Sequence, residues 1–492
     1  MSIDTEMDIR TAVALAVTVG REVDLSACAY GPATHDRFLS GPMGYYSFLA
    51  GLAQVTKARG VVEIGTHYGG SARAFAEGQR AAGVEPNVLT FDVEDRSGDP
   101  VQGEPGIQRV LADVRDPAGA ERLTGWAAQA TADIVYIDAL KDQDFLEETI
   151  AATAHVGARW LVLDDILANT GMRAAWAALR DHYGARAISL DDVALNIRSS
   201  NYGQGVVALT DDTFAGLTAE RLRVVQQDRW GDLVRAATAS PTIDPPAGQR
   251  ERPEELTVLH EAVGRMRGEG EIVVAGAACN VTSTTLASAL ADAVAKGPEL
   301  AGISVNVVAP FLMDASVAKA RGDDVTERRT TFLPDFRAAL GDAAPFVNTI
   351  AGDASSRRWT GRPIELLVID WHREHTDLAH VWRELLPYCI PGRSLLVVQG
   401  LGGQESSYLT ATLGRLLPYL EVVGFAPDSL VLGPVQSPPA NSLDGLDHRR
   451  MDGWWDDIDR IDAAIDDRLG DRRAHQQVER SRAMLRKRLG LG

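Results

Sequence analysis

The sequence predicts an α/β protein of two domains in tandem. Each domain is a mostly parallel sheet with helices on both faces and a closing antiparallel hairpin, and a C-terminal helical tail follows. Three observations predict this. Short apolar runs alternate with helical stretches from Val61 onward, the same order of runs returns in the second half, and a proline-rich interruption separates the halves.

In the first half the runs are "VVEIG", "NVLTFD", "QRVLADV", "DIVYID" and "RWLVLDD", then "ARAISL" and "GVVALT" for the hairpin. The stretch "ASPTIDPPAGQRERPEE" at 239–255 breaks the periodicity and reads as a linker, which closes a first domain at 1–238. The second domain, 256–436, repeats the order as "EIVVAG", "ISVNVVA", "VNTIAGDA", "IELLVID", "RSLLVVQG", "LEVVGFA" and "SLVLGPV". Aligned by these runs, Asp370 falls on Asp138 and Asp353 on Asp113, which reads as a tandem duplication. Residues 437–492 form a loop and a charged helical tail. Its Trp454, Trp455, Ile458, Ile461 and Ile465 make one apolar stripe, for packing on a domain or on a second subunit.

Composition narrows the partners. A net charge of -19 repels phosphate backbones, and no useful basic block precedes the last few residues, so nucleic acid is not an expected partner. The first residues carry acids where a signal peptide would be basic, and their apolar run is too short to span a bilayer, so neither export nor a membrane anchor is expected. The three cysteines, Cys28, Cys279 and Cys389, are scattered without metal spacing, which suits a reducing cytoplasm.

The segment "VVEIGTHYGGS" places Glu63, Gly65, Gly69 and Ser71 on a strand, a tight loop and a helix start. Glycines there let the backbone approach a ligand, and the helix N-terminus offers amides to a carboxylate or phosphate. The spacing E-x-G-x-x-x-G-x-S departs from the dinucleotide fingerprint G-x-G-x-x-G. Together with Asp92 ending "LTFD", Asp113 in "LADV" and the acids discussed next, it resembles the class I S-adenosylmethionine-dependent methyltransferases. The likeness is to metal-dependent small-molecule O-methyltransferases of the catechol and macrolide-sugar type, over about residues 40–212.

The resemblance implies a Rossmann-like methyltransferase fold for both domains and S-adenosylmethionine as cofactor. Gly65 and Gly69 would pass close to its methionine part with Glu63 beside them, Ser71 would bind its carboxylate, and His67 and Tyr68 would line it. Asp92 would hold the ribose hydroxyls, and Asp113 and Val114 would sit beside the adenine. Taken singly, Asp92 and Asp113 read equally as loop caps.

The stretch "ADIVYIDALKDQDF" ends a buried strand on Asp138, with Lys141 three residues on, and "LVLDD" ends the next on Asp164 and Asp165. Neighbouring parallel strands end on one edge, so the three carboxylates should converge, and a hard divalent cation would relieve their repulsion; Mg²⁺ is the simplest choice. The family places a metal-binding Asp and a base at the first of these strand ends. Asp138 would thus serve the cation, the cofactor and the chemistry, and Lys141, one of five lysines in the chain, would be the general base; alternatively it is a surface lysine.

The resulting expectation is an O-methyltransferase for a small hydroxylated acceptor, a sugar-bearing or phenolic natural product. N-methylation, a non-methylating reaction on the same scaffold and a non-catalytic cofactor-binding scaffold are the alternatives. The second half replaces Glu63 by Val274, Gly69 by Asn280 and the acid pair by Gln399 and Gly400, so it reads as a degenerate copy through which, or through the tail, the chain could pair with itself. His372 and His375 after Asp370 are more often merely polar, and His155 is expected to be structural. The segment with His35, Tyr45 and Tyr46 would supply substrate contacts or core packing.

Overall fold

The computed structural model describes residues 8–28, 43–94, 101, 103–194, 197–198, 203–210, 219–241, 243, 253–276, 280–297, 300–309, 333–351, 359, 362–370, 381–401, 406–427, 429–439, 441–442, 454–469 and 471–489. His35, Cys279, Asp353, His372 and His375 lie outside them. The chain divides into two compact units, 1–222 and 223–492.

In the first unit the strands are β1 (Val61–Ile64), β2 (Val88–Asp92), β3 (Ile107–Leu111), β4 (Ile134–Ile137), β5 (Trp160–Asp164), β6 (Ala187–Ser189) and β7 (Gln204–Ala208). They form one sheet in the order β3-β2-β1-β4-β5-β7-β6. The pairs from β3 to β5 are parallel, and β7 enters antiparallel between β5 and β6, which is the expected hairpin. The helices are α1 (Ile9–Gly20), α2 (Tyr45–Thr56), α3 (Gly70–Ala81), α4 (Pro117–Ala127), α5 (Gln143–Thr153) and α6 (Thr170–Tyr183). The central strands are apolar on both faces because helices cover both; Val62, Leu89, Val135, Leu161 and Val207 share one core with Trp126 and Trp176. Helix starts obey local chemistry: the Asp142 carboxylate accepts from Phe145 N at α5, and Asn169 Oδ1 accepts from Met172 N at α6.

The second unit repeats the topology. Strands β8 (Glu271–Ala275), β9 (Val305–Ala309), β10 (Val347–Ala351), β11 (Ile364–Ile369), β12 (Leu395–Val398), β13 (Leu420–Ala426) and β14 (Ser429–Pro434) run in the order β10-β9-β8-β11-β12-β14-β13. The helices from here on are α7 (Ala219–Trp230), α8 (Leu233–Ala239), α9 (Pro253–Gly264), α10 (Asn280–Lys296), α11 (Leu333–Leu340), α12 (Ser406–Leu416), α13 (Trp454–Arg468) and α14 (Arg472–Arg488). The tail stripe is buried on this unit: Trp454, Ile458, Ile461 and Ile465 of α13 join the core of β11 to β14 together with Val478 and Leu485 of α14.

The division between the units falls upstream of the proline-rich stretch. From Arg223 onward the chain belongs with the second sheet, where Gln226 Nε2 donates to Ser394 O at 2.9 Å and Trp230 Nε1 to Arg393 O at 3.1 Å. At the other end of the stretch, Pro253 to Glu255 already form the first turn of α9.

Candidate functional site

The carboxyl edge of the first sheet begins with Gly65, at φ +104°. A Cβ there would stand 1.9 Å from Asp138 O, so no other residue fits, and its N–H bonds Phe91 O at 2.8 Å. His67 also takes a left-handed conformation, φ +46°, and its N–H donates to Asp92 Oδ2 at 2.8 Å while Glu94 N donates to Oδ1 at 3.0 Å. Asp92 is therefore a loop cap. Each of its oxygens still has a lone pair to offer. Gly69, at φ +75°, precedes α3, and its Cβ would strike Val101.

Glu63 is fully buried beneath this loop, with Ser71 Oγ and Thr90 Oγ1 each 2.5 Å from one of its oxygens. Burial pushes its carboxyl up to about 8, against the two hydroxyl hydrogen bonds, and the negative Asp138 and Asp92 add to the rise. The Ser71 hydroxyl is thus engaged by Glu63, and a carboxylate at the start of α3 would meet backbone amides instead of this donor. Glu63 supports the loop from below and Tyr68 packs edge-on to His67.

Beside Gly65 opens a cavity of about 280 Å³, lined among others by Asp92, Val93, Asp113, Val114, Leu140 and Phe145. The Asp113 carboxylate is gripped by Arg115, with Nη2 on Oδ2 at 2.7 Å and Nε on Oδ1 at 3.0 Å, and these hydrogen bonds hold it below the usual carboxylate range. Val114 is buried in the core. The sequence reading missed Arg115. An Asp-Val-Arg in a loop carries no pattern, and only the structure joins this cation to Asp113.

The next two strand ends converge as the parallel topology requires. Asp138, Asp164 and Asp165 each present an oxygen, all lying within 4.8 Å of one another. Asp138 N bonds Ile64 O at 2.8 Å, which ties this end to β1, and Tyr136 OH donates to Asp138 Oδ2 at 3.2 Å. Asp165 sits at φ +56°, a turn that lets a second carboxylate follow Asp164 on the same edge. Asp164 is 4 % exposed, and burial together with Asp138 raises its carboxyl well above the usual range. Its Oδ1 is buried without a hydrogen-bond partner. An orphaned carboxylate oxygen among oxygen-only donors fits a hard divalent cation. Gln204, buried and facing Asp164 in the ladder, is a further polar group that the sequence reading passed over.

Lys141 enters the same cluster, with Nζ 2.6 Å from Asp138 Oδ1 and 3.3 Å from Asp165 Oδ2. Burial alone would lower its pKa, but Asp138, Asp164 and Asp165 outweigh that and hold the ammonium well above its ordinary range. As it stands, Lys141 is the counter-charge of the three acids. Tyr45 and Tyr46 are almost fully buried, while His155 lies exposed on the surface.

At the same edge of the second sheet, Gly276 repeats the turn at φ +108°, with its N–H on Val308 O at 2.9 Å, and Asp370 N bonds Ala275 O at 2.9 Å. Val274 stands in β8 where β1 has Glu63, and beyond β12 come Gln399 and Gly400, the latter at φ +78°.

No family model and no curated protein sequence matches the chain. Solved structures match at low identity. The cofactor-bound Rv0187 from MTB is 21% identical, covering 42% of this chain and 92% of its own, with a TM-score of 0.27. The SAH-bound Podospora anserina methyltransferase PaMTH1 is 15% identical, covering 40% and 88%, with a TM-score of 0.28. MycE of the mycinamycin biosynthetic pathway, in complex with Mg and SAH, is 17% identical over 38% of this chain and 54% of its own, with a TM-score of 0.26. Likenesses this low say nothing of activity. The seven-stranded order, with one strand inserted antiparallel to both its neighbours, is seen in each half by itself, and each half carries a Rossmann-like methyltransferase fold.

Proposed function

We propose that the chain is an S-adenosylmethionine-dependent methyltransferase whose first unit, with Mg²⁺, methylates a hydroxyl of a small molecule. The observation that carries the reading is the meeting of Asp138, Asp164 and Asp165 within 4.8 Å at the strand edge that also holds the Gly65 turn and the cavity under Asp92. Asp92 would receive the ribose hydroxyls on the lone pairs its loop amides leave open, and the amides of α3 would face the cofactor's carboxylate. The three carboxylates would hold the cation, which when bound supplies Lewis-acid activation of the acceptor hydroxyl.

Lys141 then has two consecutive roles. Without a divalent ion it neutralises the acids; once their charge is shared, its proton is held less tightly, and the amine stands where it can take the hydroxyl proton. The second unit, lacking the Glu63 counterpart and the acid pair, would hold neither cation nor cofactor, leaving it for pairing or support. We set its start near Arg223, and regard a cytoplasmic protein with a small-molecule acceptor, phenolic or sugar-bearing, as the consistent picture.

Labelled S-adenosylmethionine offered with candidate acceptors, with Mg²⁺ and with EDTA, tests this. Label transfer that needs the cation supports the proposal. Transfer indifferent to EDTA would favour methylation of nitrogen, and binding of S-adenosylhomocysteine without transfer to any acceptor would favour a cofactor-binding scaffold.

A further inference from the structure

We propose that Arg115 meets the flat ring of the ligand in the cavity beside Gly65, and that Asp113 is the positioning residue that holds the guanidinium in place. The inference rests on the reading of this cavity as the nucleoside site. Its starting point is the saturation of Asp113. Arg115 N and Nε contact Oδ1 at 2.9 and 3.0 Å, and Nε and Nη2 contact Oδ2 at 3.2 and 2.7 Å. A carboxylate offers about four lone-pair directions, so an exocyclic amine arriving in the cavity finds this one occupied.

The guanidinium is correspondingly fixed. Nη1 bonds Glu148 Oε2 at 2.7 Å, so each of the three guanidinium nitrogens holds a carboxylate contact, and its central carbon lies over the Phe145 ring at 4.3 Å from the centroid. Arg115 nonetheless lines the cavity. With its nitrogens held by Asp113 and Glu148 and Phe145 on one side, the guanidinium is fixed in one plane, and its other face is a planar cation suited to stacking on a π-system. Val93 and Leu140 line the same cavity and are 67% and 65% exposed, apolar surface that a flat ligand would cover. A purine fits such a slot by its faces, and Asp113 acts on it only through Arg115.

A double-mutant cycle with S-adenosylhomocysteine, read by titration calorimetry on the full chain, tests this. Both side chains are partly exposed, so folding should survive, with circular dichroism as the control. Arg115→Met should weaken binding by about fivefold, the order of a cation–π contact at a half-open site. Asp113→Asn should cost about as much in the wild type but less than about twofold in the Arg115→Met background, the mark of two residues acting as one. Arg115→Lys, which keeps the charge and loses the plane, should fall with Arg115→Met. If the loss from Asp113→Asn persists undiminished in the Arg115→Met background, or Arg115→Lys binds like the wild type, the inference is overturned. A wild-type chain that does not bind S-adenosylhomocysteine removes the nucleoside reading of the cavity as well.

Discussion

The two sheet edges share a backbone and differ in chemistry. Gly65 and Gly276 turn at φ +104° and +108°, and the amides of Asp138 and Asp370 close the same bond, at 2.8 and 2.9 Å, to the end of the first strand of each sheet. In the first unit β5 ends on Asp164 with Asp165 just beyond; in the second, Gln399 and Gly400 follow β12. Gly400, at φ +78°, stands where Asp165 is held at +56°. The difference teaches that the topology rests on main-chain bonds and a few permissive residues, whereas the acid cluster rests on side chains that can be exchanged without disturbing it.

The sharpest way to break this comparison is to strip the first edge. Asp138→Ala or Asp165→Ala should abolish Mg²⁺-stimulated turnover and Mn²⁺ binding seen by EPR, leaving the second unit unable to compensate. Lys141→Met should lower kcat by about a hundredfold to ten-thousandfold, with part of the loss regained at high pH. Since its ammonium occupies the acid cluster, the same variant should bind Mn²⁺ more tightly than the wild type; weaker binding would mean that Lys141 does not compete with the cation.

A smaller effect concerns the cofactor. Asp92→Ala removes the cap on the His67 and Glu94 amides along with the ribose acceptor, so S-adenosylhomocysteine affinity should fall by about 1.5–3 kcal/mol for each charge-assisted bond lost. The wild type should bind one equivalent per chain by calorimetry; two equivalents would dissolve the asymmetry between the units.

The mildest test is one of stability. Burial pushes the Glu63 carboxyl from its ordinary 4.5 up to about 8 in the folded chain, so the folded state holds the proton more tightly than the unfolded one. Its contribution is complete below about pH 4.5 and is lost as pH climbs through the folded pKa, at up to about 1.4 kcal/mol per pH unit. Between pH 5 and 8, Tm should therefore fall less steeply in Glu63→Gln than in the wild type. Parallel curves would show that Glu63 is not a buried titrating group.

Both sheets were legible in the sequence because buried parallel strands read as apolar runs of β-branched residues, and an acid ending such a run marks its carboxyl end. Asp138, Asp164 and Asp165 could be found for that reason. Lys141 was found as a position but not as a charge state, because its protonation depends on carboxylates brought together from two strand ends. The grip of Arg115 on Asp113 and the stack on Phe145 were invisible, since one is two residues apart in a loop and the other thirty residues away on α5. The compact units divide at 222/223, upstream of the prolines, and this was not legible because helical periodicity gives the apolar face of α7 and α8 but not the sheet that covers it.

The contact between Gly65 and Asp138 has a thermodynamic side. A Cβ at Gly65 would stand 1.9 Å from Asp138 O, and Asp138 N bonds Ile64 O at 2.8 Å, so the turn beside the cavity and the strand end that carries Asp138 are packed directly on each other. Were the proposed cation and nucleoside both to bind here, any coupling between them would be reciprocal: whatever factor the cation added to nucleoside affinity, the nucleoside would return to the cation. The order in which they arrive would then alter the rates of assembly but not the final occupancy.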